Sequence, residues 1–355
     1  MKKSKRVDSI YHLFNQMRTT NTFLLMAVMA IFFACNTKKK EAAAFLTAKD
    51  AVLLNQLIYK EDSKEAFLKY APEYEVVFQP QAVNGNYAIV VKKKDAEQYA
   101  LVIRGSVIEF SNEGFQNFFM QDFNIFTMKD WNYTDTVKKA SISRGAYIGF
   151  QNLQQLKDAS TGLLLKEFIE KNIPGEASII VTGHSLGGNL AYPLAGYLKK
   201  EIQSGKRIQL ITFGAPAAGN AAFVQDMEEK FPDAERYAID KDIAPMFPDL
   251  KAVGNISAKM GLDSVLHLGD IVGGDIGKNL NAGNLLNIAS EILDKTNVLD
   301  ESRKYVQSLK HLRPLVGKDT SFPGGNVTAD MLFNRAYQFH TVDMYAKMLG
   351  GKTLE

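Results

Sequence analysis

Short apolar runs alternate with amphipathic segments along most of the chain after residue 48. The runs are rich in Val, Ile and Tyr, which predicts strands buried in a sheet. The amphipathic segments repeat apolar residues at spacings of three and four, which predicts helices. We expect strands at 87–92, 99–104, 178–182, 208–213 and 236–239. We expect helices at 48–70, 151–171, 186–200 and 341–349.

This alternation predicts an α/β fold, with a mostly parallel central sheet and helices on both faces. A chain of 355 residues is long enough to bury the core of such a domain. The segment 250–335 breaks the pattern, because Gly and Asn punctuate 269–287 before a helical stretch at 293–309. We interpret 250–335 as an insertion before the C-terminal helix, within one domain at 48–355. A small separate subdomain is the alternative.

The N-terminal segment differs in composition from the rest of the chain. Residues 1–18 are basic and polar, the run 22–34 is almost wholly apolar, and Cys35 follows directly. An apolar run of about a dozen residues is short for a membrane span and is typical of a signal-peptide core. We therefore expect 1–34 to be a signal peptide.

Cys35 is the only cysteine of the chain. Together with the small Ala34 before it, it resembles a bacterial lipoprotein processing site, in which the cysteine becomes the acylated first residue. This implies a tether at 35–47 and a lipid anchor in the bacterial cell envelope, with the outer membrane favoured. The alternative is an uncleaved N-terminal anchor. Both interpretations export the rest of the chain, whether translation starts at Met1 or at Met17.

The basic charge of the chain lies mostly in the same segment. The whole chain has a net charge of +3, and residues 1–34 hold five Lys/Arg and one Asp, so the remainder is close to −1. Nothing in this balance indicates nucleic-acid binding. The Gly-rich stretch 273–278 lacks the spacing of a phosphate-binding loop, and no spacing of His, Asp and Cys fits a zinc site. We expect no cofactor and no metal.

The motif GHSLG occupies 183–187, directly after a predicted strand and before a predicted helix. A serine on such a turn has a strained backbone and an exposed hydroxyl, and the flanking glycines let the chain turn sharply. The free N–H groups at the start of the helix point toward a developing oxyanion. We therefore predict Ser185 as a nucleophile, and we expect His184 to pack or to orient its neighbours.

Other motifs accompany this turn along the chain. They are IRGS at 103–106, NFFMQDF at 117–123, AYIGF at 146–150, FGAP at 213–216 with Gly219 and Asn220, and DKDIAP at 240–245. In this order, and with GHSLGG, they resemble the class 3 (fungal-type) lipases of the α/β-hydrolase superfamily. The resemblance covers about 87–250. Phe118 replaces the usual Trp of its motif, and AYIGF lacks the usual histidine.

The resemblance implies a Ser-His-Asp triad, in the chain order Ser, Asp, His. Asp242 is the predicted acid, because DKDIAP resembles the family's Asp-x-Val-Pro segment at a strand end. Asp240 and Asp249 are its rivals. The backbone N–H groups of Leu186 and Ser106 are the predicted oxyanion hole, to which the Ser106 hydroxyl is a further candidate contributor.

The base is the least certain member of the triad. In class 3 lipases the histidine lies late in the chain, in a loop before a C-terminal helix, and His340 fits this position. His267 lies in an apolar run and is expected to pack there. His311 stands between basic residues, in a setting that suits a solvated helix cap. Both remain alternatives.

Seven aromatic residues lie at 107–131, where class 3 lipases carry a lid: Phe110, Phe115, Phe118, Phe119, Phe123, Phe126 and Trp131. A lid of this kind covers the acyl groove in water and opens on lipid. The alternative is a segment packed in the core.

The resemblance implies an enzyme that cleaves carboxylic esters of lipids, with acylglycerols as substrates. A phospholipase or an esterase of soluble esters is the alternative on the same scaffold, and an acyltransferase would use the same residues. A catalytically inactive surface lipoprotein that binds lipid is the alternative from another class. The expected partners are a lipid or ester substrate and the membrane reached through Cys35.

Overall fold

The computed structural model describes residues 44–106, 127–202, 205–249, 304–318 and 329–352, together with 252, 255, 259, 260 and 354. The predicted signal peptide at 1–34, residues 107–126 of the aromatic segment, and His267 therefore lie outside the described residues. Residues 43–355 form one unit.

Five of the eight described helices begin at a residue whose side chain caps them. They are α1 (Ala48–Leu57), α2 (Ser63–Tyr70), α3 (Arg144–Gln154), α4 (Leu165–Asn172), α5 (Leu186–Glu201), α6 (Ala221–Lys230), α7 (Ala329–His340) and α8 (Val342–Met348). Side-chain oxygens accept backbone N–H bonds at the N-caps Thr47, Asp62, Ser143, Asn220 and Thr341. None of the helices described is long and apolar enough to cross a membrane.

The strands form two sheets among the described residues. They are β1 (Tyr74–Phe78), β2 (Ala88–Lys93), β3 (Gln98–Ile103), β4 (Met128–Asp130), β5 (Ser141–Ser143), β6 (Ser178–His184), β7 (Arg207–Phe213), β8 (Gly219–Asn220), β9 (Glu235–Ile239), β10 (Tyr305–Val306) and β11 (Leu312–Leu315). The main sheet has the order β1-β2-β3-β6-β7-β9-β11, and a small sheet has the order β10-β8-β5-β4. All pairs from β3 to β11 in the main sheet are parallel. The prediction of a mostly parallel sheet is confirmed.

Alternate residues of the central strands point into two separate cores. On β6, Ile180 packs in one core, whereas Ile179 and Val181 pack in the other. The first core includes side chains of α1, α7 and α8, and the second includes those of α3 to α6. Because a strand buried on both faces must be apolar throughout, this packing explains the continuous SIIV run.

Two predicted helices are each interrupted in the structure. The predicted helix 48–70 is divided into α1 and α2, because Asp62 accepts the backbone N–H of Glu65 and starts a new helix. The predicted helix 151–171 is divided into α3 and α4. Between them, Asp158 accepts hydrogen bonds from Ser160 and Thr161 and holds a turn. Local side-chain acceptors of this kind compete with helical backbone bonds.

The predicted insertion at 250–335 contributes a strand to the main sheet. β11 pairs in parallel with β9, with Pro314 opposite Ala238. Pro has no N–H to donate and is therefore tolerated in a strand at the edge of a sheet. Because Pro is rare in strands, a strand that contains it is not recognised from the sequence pattern. The predicted helix 293–309 is wrong in its described part, because β10 and a turn occupy 305–311.

Candidate active site

Ser185 lies on a sharp turn between β6 and α5. Its backbone has φ 57° and ψ −125°, a conformation that costs a non-glycine residue about 1–3 kcal/mol. Its N–H donates to the carbonyl of Phe213 at 2.9 Å, which fastens the turn to β7. The surrounding strands hold the strained residue, which is only 3% exposed. The expectation of an exposed hydroxyl is therefore wrong in this structure.

A row of hydrogen bonds runs from this serine. Its Oγ lies 2.8 Å from Nε2 of His340, and Nδ1 of the same ring lies 2.9 Å from Oδ2 of Asp242. The histidine and the aspartate are 1% and 0% exposed. The structure thus brings together the three side chains predicted for the triad, although they are far apart along the chain.

Asp242 follows β9 and is held at both carboxylate oxygens. Oδ1 accepts the backbone N–H of Ala244 at 2.9 Å, and Oδ2 accepts the hydroxyl of Tyr345 at 2.6 Å. The rival carboxylates have other partners, since Asp240 accepts from Gly317 N and Asp249 accepts from Ala252 N. The orientation of Asp242 toward the imidazole is therefore fixed by two donors besides the histidine.

Gly214, in the FGAP motif, makes room for this acid and base. Its φ is +59°, and a Cβ there would lie 2.9 Å from Oδ2 of Asp242 and 3.2 Å from Nδ1 of His340. A side chain at this position would push the pair apart. The motif is therefore needed for the spacing of the pair as well as for the turn after β7.

His340 and His311 differ in their surroundings. His340 is the last residue of α7 rather than a loop residue, and Thr341 caps α8 directly after it. The prediction of a solvated helix cap for His311 is wrong. His311 is fully buried before β11, and its ring is stacked on that of Tyr192. Burial lowers its pKa.

His184 lies beside the base. The two rings have centroids 4.7 Å apart, and Nε2 of His184 lies 2.6 Å from the backbone carbonyl of His340. Nδ1 of His184 lies 3.2 Å from the hydroxyl of Tyr59. Burial, and then the neighbouring His340, hold the pKa of His184 well below its usual range. The structure agrees with the expected packing and orienting position.

The predicted oxyanion-hole residues flank the serine. Leu186 is the first residue of α5, and Ser106 follows β3 by three residues. A Cβ on Gly105 would lie 2.2 Å from the Tyr59 hydroxyl oxygen, 2.6 Å from the His184 carbonyl oxygen and 3.4 Å from Ser185 Cβ. The end of β3 at the IRGS motif therefore lies so close to the serine turn that only a glycine fits at position 105.

Two tyrosines at the site were not identified in the sequence. Tyr345 in α8 and Tyr59 after α1 carry no motif, and their partners are remote in the chain. Burial, followed by the charge of Asp242, raises the pKa of Tyr345 well above its usual range, so its hydroxyl stays protonated and donates. The only sequence signal for Tyr345 was its place on an apolar helix face. A tyrosine buried on such a face needs a hydrogen-bond partner for its hydroxyl.

Trp131 belongs to the core. It is 2% exposed and makes edge contacts with the rings of Tyr133, Phe150 and Phe223. For this residue the core-packed alternative holds, whereas the lid prediction for 107–126 lies outside the described residues. Among the residues described, no group of His, Cys, Asp and Glu is arranged to hold a metal.

Comparisons with known proteins agree with this fold. A family model described as lipase (class 3) matches residues 100–252, which include most of β3, the serine turn and Asp242. The crystal structure of M37 lipase is similar with a TM-score of 0.66 and 26% identity, covering 86% of this chain and 93% of that one.

Two curated relatives match over shorter stretches. The chloroplastic phospholipase A1-Igamma2 of Arabidopsis thaliana is 38% identical over 81 residues, 21% of this chain and 15% of the relative. Lipase ZK262.3 of Caenorhabditis elegans is 34% identical over 71 residues, 20% of each chain. The chain thus spans a fifth or less of the length of these relatives. Residues 100–252 thus match the class 3 lipase family, and the fold of the chain is that of the α/β-hydrolases.

Proposed function

We propose that this protein is a serine hydrolase that cleaves carboxylic esters of lipids, with acylglycerols as its main substrates. The observation that carries the proposal is the row Ser185 Oγ, His340 and Asp242, with contacts of 2.8 and 2.9 Å on a strained strand-to-helix turn. A serine hydroxyl is a weak nucleophile until a base accepts its proton, and this geometry supplies the base.

In the proposed reaction, Ser185 Oγ attacks the ester carbonyl carbon while Nε2 of His340 takes the hydroxyl proton. The imidazolium is stabilised by Asp242, whose Oδ2 accepts the Nδ1–H. The negative oxygen of the tetrahedral intermediate is bound by the N–H groups of Leu186 and Ser106, each such donor being worth about a hundredfold or more in turnover. The intermediate collapses, and the alcohol leaves with the proton from His340.

The second half of the reaction repeats these roles with water. His340 removes a proton from a water molecule, which attacks the acyl-enzyme carbonyl. The second tetrahedral intermediate releases the fatty acid, and the proton returns to Ser185 Oγ. No external cofactor is needed, because proton transfer and charge stabilisation are supplied by side chains and backbone groups of this chain.

A phospholipase is the second candidate, favoured by the similarity to a plant phospholipase A1 over 81 residues. The purified protein is assayed for turnover of a triacylglycerol, a diacyl phospholipid and a short p-nitrophenyl ester. The proposal predicts turnover of all carboxylic esters, with the triacylglycerol fastest per unit of interface. Faster turnover of the phospholipid selects the second candidate. No turnover of any ester contradicts both and favours an inactive lipid-binding protein.

We also propose that Cys35 carries lipid and tethers the enzyme to the bacterial cell envelope, with the outer membrane favoured. The apolar run that ends at Ala34 and the single cysteine after it support this location. Acyl chains on one residue anchor a domain without a transmembrane helix.

A further inference from the structure

His340 is the last residue of α7. Carbonyl groups at the end of a helix commonly accept hydrogen bonds from side chains outside the helix. Nε2 of His184 lies 2.6 Å from this carbonyl oxygen. A carbonyl can only accept a hydrogen bond, so the hydrogen must be on Nε2. His184 therefore satisfies the end of the helix that carries the base.

The other ring nitrogen of His184 follows from this assignment. A neutral imidazole with its hydrogen on Nε2 has a bare Nδ1, which only accepts. The Tyr59 hydroxyl lies 3.2 Å from Nδ1 and 3.5 Å from the His184 carbonyl oxygen, so it donates to the nearer acceptor, Nδ1. Burial keeps the pKa of His184 well below its usual range and raises the pKa of Tyr59, so both groups stay in these protonation states.

These bonds connect the nucleophile with the base by a second route. His184 is covalently adjacent to Ser185, and its side chain holds the backbone of His340. The rings of His184 and His340 are also tilted by 35° at 4.7 Å, which restricts the plane of the base. Tyr345 also packs edge-on against the ring of His184, with centroids 5.9 Å apart. The ring of His184 is thus enclosed by Tyr59, His340 and Tyr345.

We propose that His184 is a positioning residue that sets the distance between Ser185 Oγ and His340 Nε2, and that Tyr59 fixes its tautomer. The inference rests on the proposed hydrolase function and deepens it. His184 acts through His340. A misplacement of about 1 Å in such a pair is enough to lower turnover about a hundredfold.

The kinetic test compares His184→Leu with His184→Gln on a short soluble ester. Leu fills space without donating, whereas the Gln amide keeps a donor for the His340 carbonyl and an acceptor for Tyr59. We expect His184→Leu to lower kcat about a hundredfold with KM changed less than about twofold. His184→Gln should recover most of that loss. Equal losses in both variants, or full kcat in His184→Leu, overturn the proposal.

Tyr59→Phe tests the second link with a smaller change. Loss of one hydroxyl should lower kcat by about threefold to tenfold, as expected for one hydrogen bond. The matched control is Tyr74→Phe, which removes a hydroxyl bonded to Asp50 at 2.8 Å, away from the triad, and should leave kcat unchanged. Equal effects of the two variants contradict the assignment of Tyr59.

A spectroscopic readout separates this inference from the function itself. The ring nitrogen resonances of His184 in the ¹⁵N-labelled wild-type protein should report hydrogen on Nε2, and Tyr59→Phe should shift the Nδ1 resonance. Hydrogen on Nδ1 in the folded wild type overturns the positioning link. An enzyme with the expected tautomer but no ester turnover would contradict only the proposed hydrolase activity.

Discussion

The Tyr345 hydroxyl donates to Oδ2 of Asp242 at 2.6 Å, and the same carboxylate oxygen lies 2.9 Å from Nδ1 of His340. The acid of the proposed triad therefore shares one oxygen between the base and a buried tyrosine. The hydroxyl of Tyr345 also accepts the backbone N–H of Ile239, the last residue of β9. This single side chain of α8 thus connects the strand end, the acid and the base.

The first prediction concerns Tyr345→Phe. A hydrogen bond to a charged group is worth about 1.5–3 kcal/mol, and its loss frees the carboxylate to rotate. We expect kcat to fall about tenfold or more, while the ring keeps the core filled. Steady-state kinetics on a soluble ester measure this, with the melting temperature as the check on folding. Wild-type kcat in the folded variant would show that Ala244 and His340 suffice to orient Asp242.

The second prediction identifies the base. His340→Ala should lower turnover to nearly the level of a variant without the serine, a loss of about a million-fold in comparable triads. His311→Gln is the matched comparison, because His311 is also fully buried but stacks on Tyr192, away from the serine. We expect the turnover of folded His311→Gln protein to stay within about threefold of wild type, because this substitution changes no contact of the triad. A larger loss in His311→Gln than in His340→Ala would reassign the base.

The third prediction concerns stability and pH. Burial lowers the pKa of His311 and of His184 below their ordinary 6.5, so the unfolded chain binds protons that the folded chain excludes. Stability is therefore fully present above pH about 6.5 and falls as the pH decreases, by up to about 1.4 kcal/mol per pH unit for each histidine.

Urea unfolding between pH 7 and pH 5 measures this slope. His311→Gln should flatten it, because Gln does not titrate in this range. Asp158, whose pKa is lowered to about 2, loses its contribution only at more acidic pH and does not interfere. A free energy of unfolding that stays constant or rises on acidification to pH 5 would be inconsistent with buried neutral histidines.

The fourth prediction tests the anchor. In a bacterial host, labelled fatty acid should be incorporated into the wild-type protein and not into Cys35→Ser, because the thiol is the proposed acceptor. The wild type should fractionate with membranes, and the variant should be released into a soluble fraction. Incorporation of label into Cys35→Ser, or a mature N-terminus other than residue 35, would refute the lipoprotein interpretation.

The sequence predicts the local parts of this fold closely. β6 and α5 lie within two residues of the predicted strand 178–182 and helix 186–200, because a buried apolar run and a glycine-flanked turn are local signals. β11 is missed, since its Arg313 and Pro314 are acceptable only at a sheet edge. That context exists only after the sheet has formed.

The same distinction applies to the site. Ser185 and Asp242 follow predicted strands, so motifs and strand ends suffice to identify them. The positions of Tyr345 and Tyr59 depend on partners 103 and 125 residues away, respectively. The capping bond from His184 to the His340 carbonyl depends on where α7 ends, which no motif specifies. Contacts of this kind follow from tertiary packing rather than from sequence periodicity.

The most direct test of the central claim compares Ser185→Ala with wild type in ester turnover and in labelling by a serine-directed fluorophosphonate probe. Ser178→Ala is the matched control. Ser178 is a buried serine at the start of β6, the strand that ends directly before Ser185, and it donates to the Ala44 carbonyl at 2.6 Å. We predict turnover and labelling in wild type and Ser178→Ala, and a loss of about a million-fold in turnover with no labelling in Ser185→Ala. Turnover or labelling that persists in folded Ser185→Ala would contradict the assignment of Ser185 as the nucleophile.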